Sequence, residues 1–516
     1  MGVEQETGLA TRGLASRFGG AGAAWTAAAL VVAVTVLSGY SVGTPFYRVV
    51  PLAGRAAQGS DGTLPRDAGT STTTVTQGAG SQGAQQQATQ GTAAGGPGKA
   101  SGSTRTGLAC APGKNGGSTD TGVTANQIKL ASTVVKSGIA VSFLGDVEYG
   151  MEAVMNKVNR QGGICGRQLT LQLVDDGWNP TTGQQYLRAF INEGYFALAV
   201  VPSSEGLRLA INGGDIDRAG IPVVGSDGML IDQYTDPWVW PIATSTNGFM
   251  HIIAKWAHDQ GAQRFGLVYE NDYHFGPEGE KAFVGAIGRT GGTIPSGCDV
   301  AIASGQTSYS STVQNFNTAC GPTSGNPVDF VALLMEPTTA AVWVGNGGYL
   351  GNAGKAIGAA GPQTLFSHTF GEDFARECPS PCNVKFMVWT GFYPPEPPND
   401  TLPAVQQYIN GMQVTQSQAD YENSFVEGGY DGMELLVQAM QAAGPDLTRA
   451  RLRQVLDTMR FDSGLSNVEQ FGSGSHFADI YAQAFQLTLS GRDFSGFRSM
   501  QTGWIQDPWV GQDALK

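Results

Sequence analysis

Apolar residues recur with two different periods between residues 128 and 180, and the change of period spells out a strand, a helix and a second strand. IKLAST is a short apolar run that reads as a strand, followed by the loop SGIAVSFLG. Val147, Met151, Val154, Met155 and Val158 then return every three or four residues, which predicts an amphipathic helix. Gly162 and Gly163 stop it, because glycine takes the left-handed backbone that ends helices at little cost. Leu169, Leu171 and Leu173 next alternate with polar neighbours, so a second strand is expected, parallel to the first. In the acidic loop DDGWNP, Asp175 and Asp176 are expected to terminate that strand and cap the following helix rather than form an acid/base pair. Further on, RFGLVYE, DFVALLM and TLFSHT are strand-like, whereas NGFMHIIAKWAHDQG and TTAAVWVGNGG are helix-like. Strands alternating with helices predict an α/β fold.

The pattern is different at the N-terminus. Residues 1–20, with Arg12 and Arg17, precede an uncharged apolar run over 21–37, just long enough for a signal-peptide core or a short spanning helix. The expected element is a signal-anchor or signal-peptide helix over 21–40, with residues 1–20 cytoplasmic and the remainder exported. Residues 51–107 are Gly, Ala, Gln, Ser and Thr with almost no large apolar side chain, so they cannot build a core and are expected to be a disordered linker. Such a linker would reach roughly 40 Å and hold a globular head, residues 108–516, clear of the outer membrane face to which the helix tethers it.

Composition narrows the function. At 516 residues the chain exceeds what one core organises, so at least two folded units are expected. Lys and Arg number 30 against 43 Asp and Glu, a net charge of -13, and without clustered cations a nucleic-acid partner is disfavoured. Six cysteines in an exported chain suggest disulfides, and fifteen connectivities are possible. The favoured set is Cys110 with Cys165, which would pin the linker's end to the first lobe, Cys298 with Cys320, and Cys378 with Cys382. A CxxxC without a second Cys or His pair is poor zinc spacing, so no metal and no cofactor are expected.

In its order of strand, loop, amphipathic helix, GGI, strand and DD, the chain resembles the first unit of type I periplasmic solute-binding proteins of the branched-chain amino acid class. The resemblance continues through FALAVVPSSEG, AGIPVVGSDG and RFGLVYENDYHFGPEGEKAF and covers roughly residues 127–507. It implies two Rossmann-like lobes joined by three crossovers. The first lobe would take about 127–243 plus 391–478, the second about 244–390 plus 479–513, with a ligand held between lobes that close on it.

The resemblance also implies site residues. Ser203 and Ser204, with Ser226, Asp227 and Gly228, stand where the family's hydroxyls and backbone amides hold a ligand carboxylate. The alternative for the two serines is helix capping. Phe143 and Phe275 stand where the family offers an aromatic side chain, with Tyr273 or His274 able to replace a missing phenol. Thr369 stands where the family has an acid near the ligand's ammonium, with Glu372 and Asp373 just beyond. Trp178 could line the cleft or pack in its loop.

The expected function is therefore capture of a small polar solute, an amino acid or related amide or carboxylate, by an extracytoplasmic monomer that delivers it to an ABC permease. A ligand-sensing domain without transport and an exported hydrolase are the alternatives. Against the latter, there is no GxSxG and no HExxH, and GGYLGNAGKA has Tyr349 for a P-loop's first glycine and Ala356 after Lys355. His251, His258, His274, His368 and His476 leave few candidates for a triad, so no catalytic residue is expected.

Overall fold

The computed structural model describes residues 110, 114–351, 358–379, 382 and 385–515. The expected helix over 21–40 and linker over 51–107 lie outside these residues. Among the described residues no helix is long and apolar enough to cross a membrane.

The alternation in the first unit becomes β1 (Gln127–Val134) and β2 (Gln168–Asp175), parallel and in continuous register from Gln127 opposite Gln168. The intervening helix Val147–Arg160 buries Val147, Met151, Val154, Met155 and Val158. It ends before Gly162 and Gly163, whose φ values of 98° and 75° are left-handed. With β3 (Ala197–Ala199), β4 (Val223–Ser226) and β5 (Val239–Pro241), these strands form a five-stranded sheet in the order β2-β1-β3-β4-β5. All pairs are parallel, and β3 and β4 are buried throughout, as strands covered on both faces must be.

One local expectation changes. The helix Pro180–Asn192 is capped by Asn179, whose side chain accepts the Thr182 N–H at 3.0 Å. Asp175 instead accepts from the Lys136 and Gly177 N–H groups, and Asp176 turns inward. Three residues of loop separate Asp176 from the helix, so Asn179 alone stands at the capping position.

The second sheet contains β6 (Phe265–Glu270), β7 (Asp299–Ile302), β8 (Phe330–Leu334), β9 (Ala359–Gly361) and β10 (Phe386–Thr390), all parallel to their neighbours. A two-stranded ribbon of β11 (Arg460–Phe461) and β12 (Glu469–Gln470) precedes β13 (Tyr481–Ser490), which adds antiparallel to β10. β14 (Asp493–Ser499) and β15 (Ile505–Gln506) pair antiparallel with β13, so this sheet is mixed. TLFSHT is not a strand. Its first residues close the 3-10 turn Gln363–Leu365, and the pairing segment is Ala359–Gly361 just before it. Pro362 carries no N–H to continue the ladder, and the apolar Leu365 and Phe366 are buried by packing.

Among the described residues the chain passes between the two sheets after β5, after β10 and after β12. The helix Thr246–Asp259 packs on the helix Phe275–Thr290 beside the second sheet, while Ser424–Ala443 returns to pack on Val147–Arg160 and β4. The layer built on β1–β5 is called the first lobe below, and the layer on β6–β10 and β13–β15 the second. Disulfides join Cys110 to Cys165, Cys298 to Cys320, and Cys378 to Cys382.

Candidate functional site

Loops at the carboxyl ends of the parallel strands face one another across the two lobes, the place where open α/β sheets hold ligands. Phe143 follows β1, Trp178 follows β2, Ser203 and Ser204 follow β3, and Asp227 and Gly228 follow β4. Tyr273 and Phe275 follow β6 on the opposite side.

The aromatic residues form a seam. Trp178 of the first lobe lies 4.2 Å, ring to ring, from Tyr273 and 6.1 Å from Phe275 of the second. Phe143 sets its edge against Trp178 and against Phe425, at 5.6 and 5.4 Å. Phe143, Trp178 and Phe275 are at most 2 % exposed, so the lobes meet in a closed arrangement here. Polar bridges reinforce it: Ser142 Oγ donates to Glu336 Oε2 at 3.2 Å, the Ile231 N–H donates to Glu278 Oε1 at 2.9 Å, and the His274 N–H donates to Glu205. Trp178 and Val200 both adopt left-handed backbone, with φ of 57° and 48°. For side chains of this kind that conformation stores on the order of 1–3 kcal/mol each, and such strain collects at functional sites.

The serine loop is tied to carboxyls. Ser203 stands at the N-terminus of the helix Ser204–Asn212 without capping it, and its hydroxyl donates to Asp176 Oδ1 at 2.7 Å. Burial pushes Asp176 up to about 6 despite that bond. Ser204 Oγ lies 3.8 Å from Met229 Sδ. The Gly228 N–H is taken by Gln233 Oε1 at 3.1 Å, while Ser226 Oγ is buried without a partner. Thr369 is exposed in the first turn of the helix His368–Glu377.

A cavity of about 10 Å³, room for one water, lies between the lobes. Val147, Val200, Pro202, Ile242, Phe392 and Phe425 supply its apolar wall, and Gln363 reaches it from the second lobe. Its one ionisable lining residue is Asp227, and no Lys, Arg or His lines it. Asp227 Oδ1 accepts from Gln233 Nε2 at 2.6 Å, but Oδ2 is buried without a partner. Burial pushes this carboxyl up to about 7. Of the site residues singled out from sequence, Asp227 alone lines the cavity, while Phe143 adjoins it through Phe425 and Trp178 packs on Phe143. Sequence reasoning missed Phe392, Gln363 and Phe425; the glycines of SFVEGGYDGM, unusual within a helix, were the signal for the close approach of that helix to Phe392, Val147 and Gly225.

Behind the cavity, three fully buried carboxyls gather where the chain passes between the lobes. Ser466 Oγ lies between Asp431 Oδ2 at 3.1 Å and Glu469 Oε1 at 3.2 Å. Asp479 Oδ1 accepts the Tyr481 N–H at 3.2 Å and faces Thr244 at the first crossover. Burial pushes all three above the usual carboxylate range.

Two sheet-based lobes, exchanging chain three times and closing on a cleft at their strand ends, frame the comparison with known proteins. A family model described as periplasmic binding protein matches residues 127–490. The chain belongs to the periplasmic binding protein family. Many of the solved structures that this periplasmic binding protein is similar to are leucine-, isoleucine- and valine-binding proteins of ABC transporters, the class its sequence resembles. It is similar to a substrate-binding periplasmic protein from Ralstonia solanacearum at 17% identity, over 72% of this chain and 100% of that one, with a TM-score of 0.60. A fatty acid ABC transporter substrate-binding protein from Thermomonospora curvata shares 16% identity over 76% of this chain and 95% of its own, TM-score 0.61. A branched-chain amino acid transporter substrate-binding protein from Streptococcus pneumoniae, in complex with isoleucine, shares 13% identity over 73% and 99%, TM-score 0.58. No curated protein matches the chain.

Proposed function

We propose that this periplasmic binding protein is the extracytoplasmic solute-binding component of an ABC uptake transporter, and that its solute is small, mostly apolar and carries an ammonium or hydroxyl group. The observation that supports this reading is the single carboxyl in an apolar wall: Asp227 Oδ2 is buried without a well-formed hydrogen bond, with only the Ser204 hydroxyl and N–H acting on the carboxyl besides Gln233 and Met229, and an under-satisfied buried acceptor costs about 1–3 kcal/mol. A donor on the solute recovers that cost, whereas an anionic group placed there would meet a carboxyl and no cation. An apolar amino acid meets these terms if its ammonium faces Asp227; amides and small aromatic amines meet them too. Isoleucine in the Streptococcus pneumoniae relative is of this kind, and the fatty acid of the Thermomonospora curvata relative is not. The closed cavity holds only one water, so the lobes must part along the aromatic seam to admit the solute and then close over it, and that loaded form is what a permease receives.

The test is thermal unfolding of the full-length chain, freed of co-purified solute, against apolar amino acids, their amides, aromatic amines and fatty acids. A solute at a hundred times its dissociation constant should add about 2.7 kcal/mol to the folded state. Asp227→Asn should weaken capture of an ammonium solute by about tenfold or more. Because burial pushes the Asp227 carboxyl up to about 7, that capture should also tighten as pH rises from acid toward neutrality and then level off. Stabilisation by fatty acids alone, or capture indifferent to Asp227→Asn, would reject the solute class.

A further inference from the structure

His368, Glu396 and Glu422 lie far apart in sequence, yet one donor atom from each falls within 4.8 Å of the others. His368 Nε2 is 3.5 Å from Glu396 Oε1 and in direct contact with Glu422 Oε2. We propose that these three side chains bind a divalent cation of the zinc type, with water completing its shell, and that the ion ties the second lobe to the first.

Around a tetrahedral ion with bonds of about 2.0–2.1 Å, neighbouring ligand atoms lie about 3.3 Å apart. The His368 and Glu396 atoms already stand close to that spacing, while Glu422 Oε2, in contact with His368 Nε2, must draw back by about an ångström to admit the ion. One imidazole nitrogen with two carboxylate oxygens is a donor set that suits zinc, and the fourth position is open to solvent water.

Charge points the same way. Among the described residues, the only cationic partner within ion-pair distance of Glu396 or Glu422 is His368. Asp420 faces the same histidine, and its Oδ2 is buried without a hydrogen-bond partner. Three carboxyls around one imidazole leave an excess of negative charge that a divalent cation would neutralise. The outer shell is in place as well. Glu396, 8 % exposed, also accepts the Phe497 N–H at 3.3 Å, and Phe494 packs edge-on against the His368 ring. His368 itself is half-exposed, which gives an ion a way in.

The three donors come from different parts of the fold. His368 opens a helix that follows β9 in the second lobe, and Glu396 lies in the segment that crosses after β10. Glu422 precedes Ser424–Ala443, which packs on the first lobe. An ion held by all three would therefore favour the closed arrangement of the lobes.

The experiment is calorimetric titration of Zn²⁺ into the EDTA-treated full-length chain, with Co²⁺ absorption as a second readout of coordination. One saturable site is expected, with visible bands of tetrahedral Co²⁺. Glu422→Gln and His368→Asn should each weaken Zn²⁺ binding by about tenfold or more and change the Co²⁺ spectrum, while far-UV circular dichroism stays unaltered. Glu396→Gln, the most buried of the three, serves as a further variant where folding is retained. The absence of saturable binding would mean that the three side chains form an ion pair only. Binding undiminished in Glu422→Gln and His368→Asn would place the ion elsewhere. Either result overturns the proposal.

Discussion

Gly225→Ala should cost the protein roughly 4 kcal/mol, a large part of the 5–15 kcal/mol that holds a typical domain together. Two effects add at this position. Gly225 has φ of 77°, at the point where the register of β4 against β5 shifts, so any side chain is strained there by about 1–2 kcal/mol. A Cβ would also sit 2.5 Å from Gly432 Cα on the helix Ser424–Ala443. That neighbour is backbone, so no rotamer change relieves the overlap, and β4 or the helix must move at a cost of about 1–3 kcal/mol. Gly162→Ala is the control, since it is left-handed at φ of 98° but has nothing within 4 Å of a built Cβ. Urea unfolding of the two variants should give a much larger loss for Gly225→Ala. Equal losses would show that the contact between β4 and the helix is not tight. Gly225 also lines the interlobe cavity, so the surviving fold of this variant should capture solute poorly.

Stability should also fall as pH rises from about 5 to 8, opposite to the acid lability of proteins held by paired carboxylates. Asp431, Glu469 and Asp479 at the crossovers are pushed up by burial, as are Glu278, to about 8, and Asp227, to about 7. In the unfolded chain such groups ionise near pH 4. Between these values the folded state binds more protons than the unfolded state, so their contribution is fully present in acid and is lost as pH climbs through the folded-state values. Each group removes about 1.4 kcal/mol per pH unit across its own window. Glu278 alone therefore accounts for a loss on the order of 4 kcal/mol by pH 8. Melting temperatures of the full-length chain at successive pH values should show the decline, and Glu469→Gln should flatten it. A level profile, or one of unchanged slope in that variant, would show that these carboxyls are hydrated or paired in solution.

What could be read from sequence was what neighbours in sequence decide. The helix from Val147 and the strand through Leu169, Leu171 and Leu173 follow from spacing alone, and both formed within a residue or two of expectation. TLFSHT misled because its apolar residues serve packing, while the three-residue β9 is too short to show a period. The cap at Asn179 was displaced by the more conspicuous aspartates beside it. At the candidate site, sequence pointed to the loops after β3 and β4, and Asp227 of the second loop does line the interlobe cavity, but the direction of its carboxyl was not legible. Its setting depends on Phe392, Gln363 and Phe425, which arrive from the crossover after β10, the turn after β9 and a distant helix. The clusters around Asp431 and around His368 were equally out of reach, since each joins residues brought together only when the crossovers form.

The bond between Cys110 and Cys165 also bears on how the protein carries load. Arg167, fully buried, donates to the backbone carbonyls of Asn115, Gly117 and Thr124 and to that of Pro445, so it clasps the incoming segment onto the body of the molecule beside that bond. A pull on any chain preceding Cys110 is thereby taken up covalently at the turn between Val147–Arg160 and β2, and does not strip β1 from between β2 and β3 starting at its N-terminal end. The strand ends that shape the cleft are mechanically shielded from whatever lies upstream.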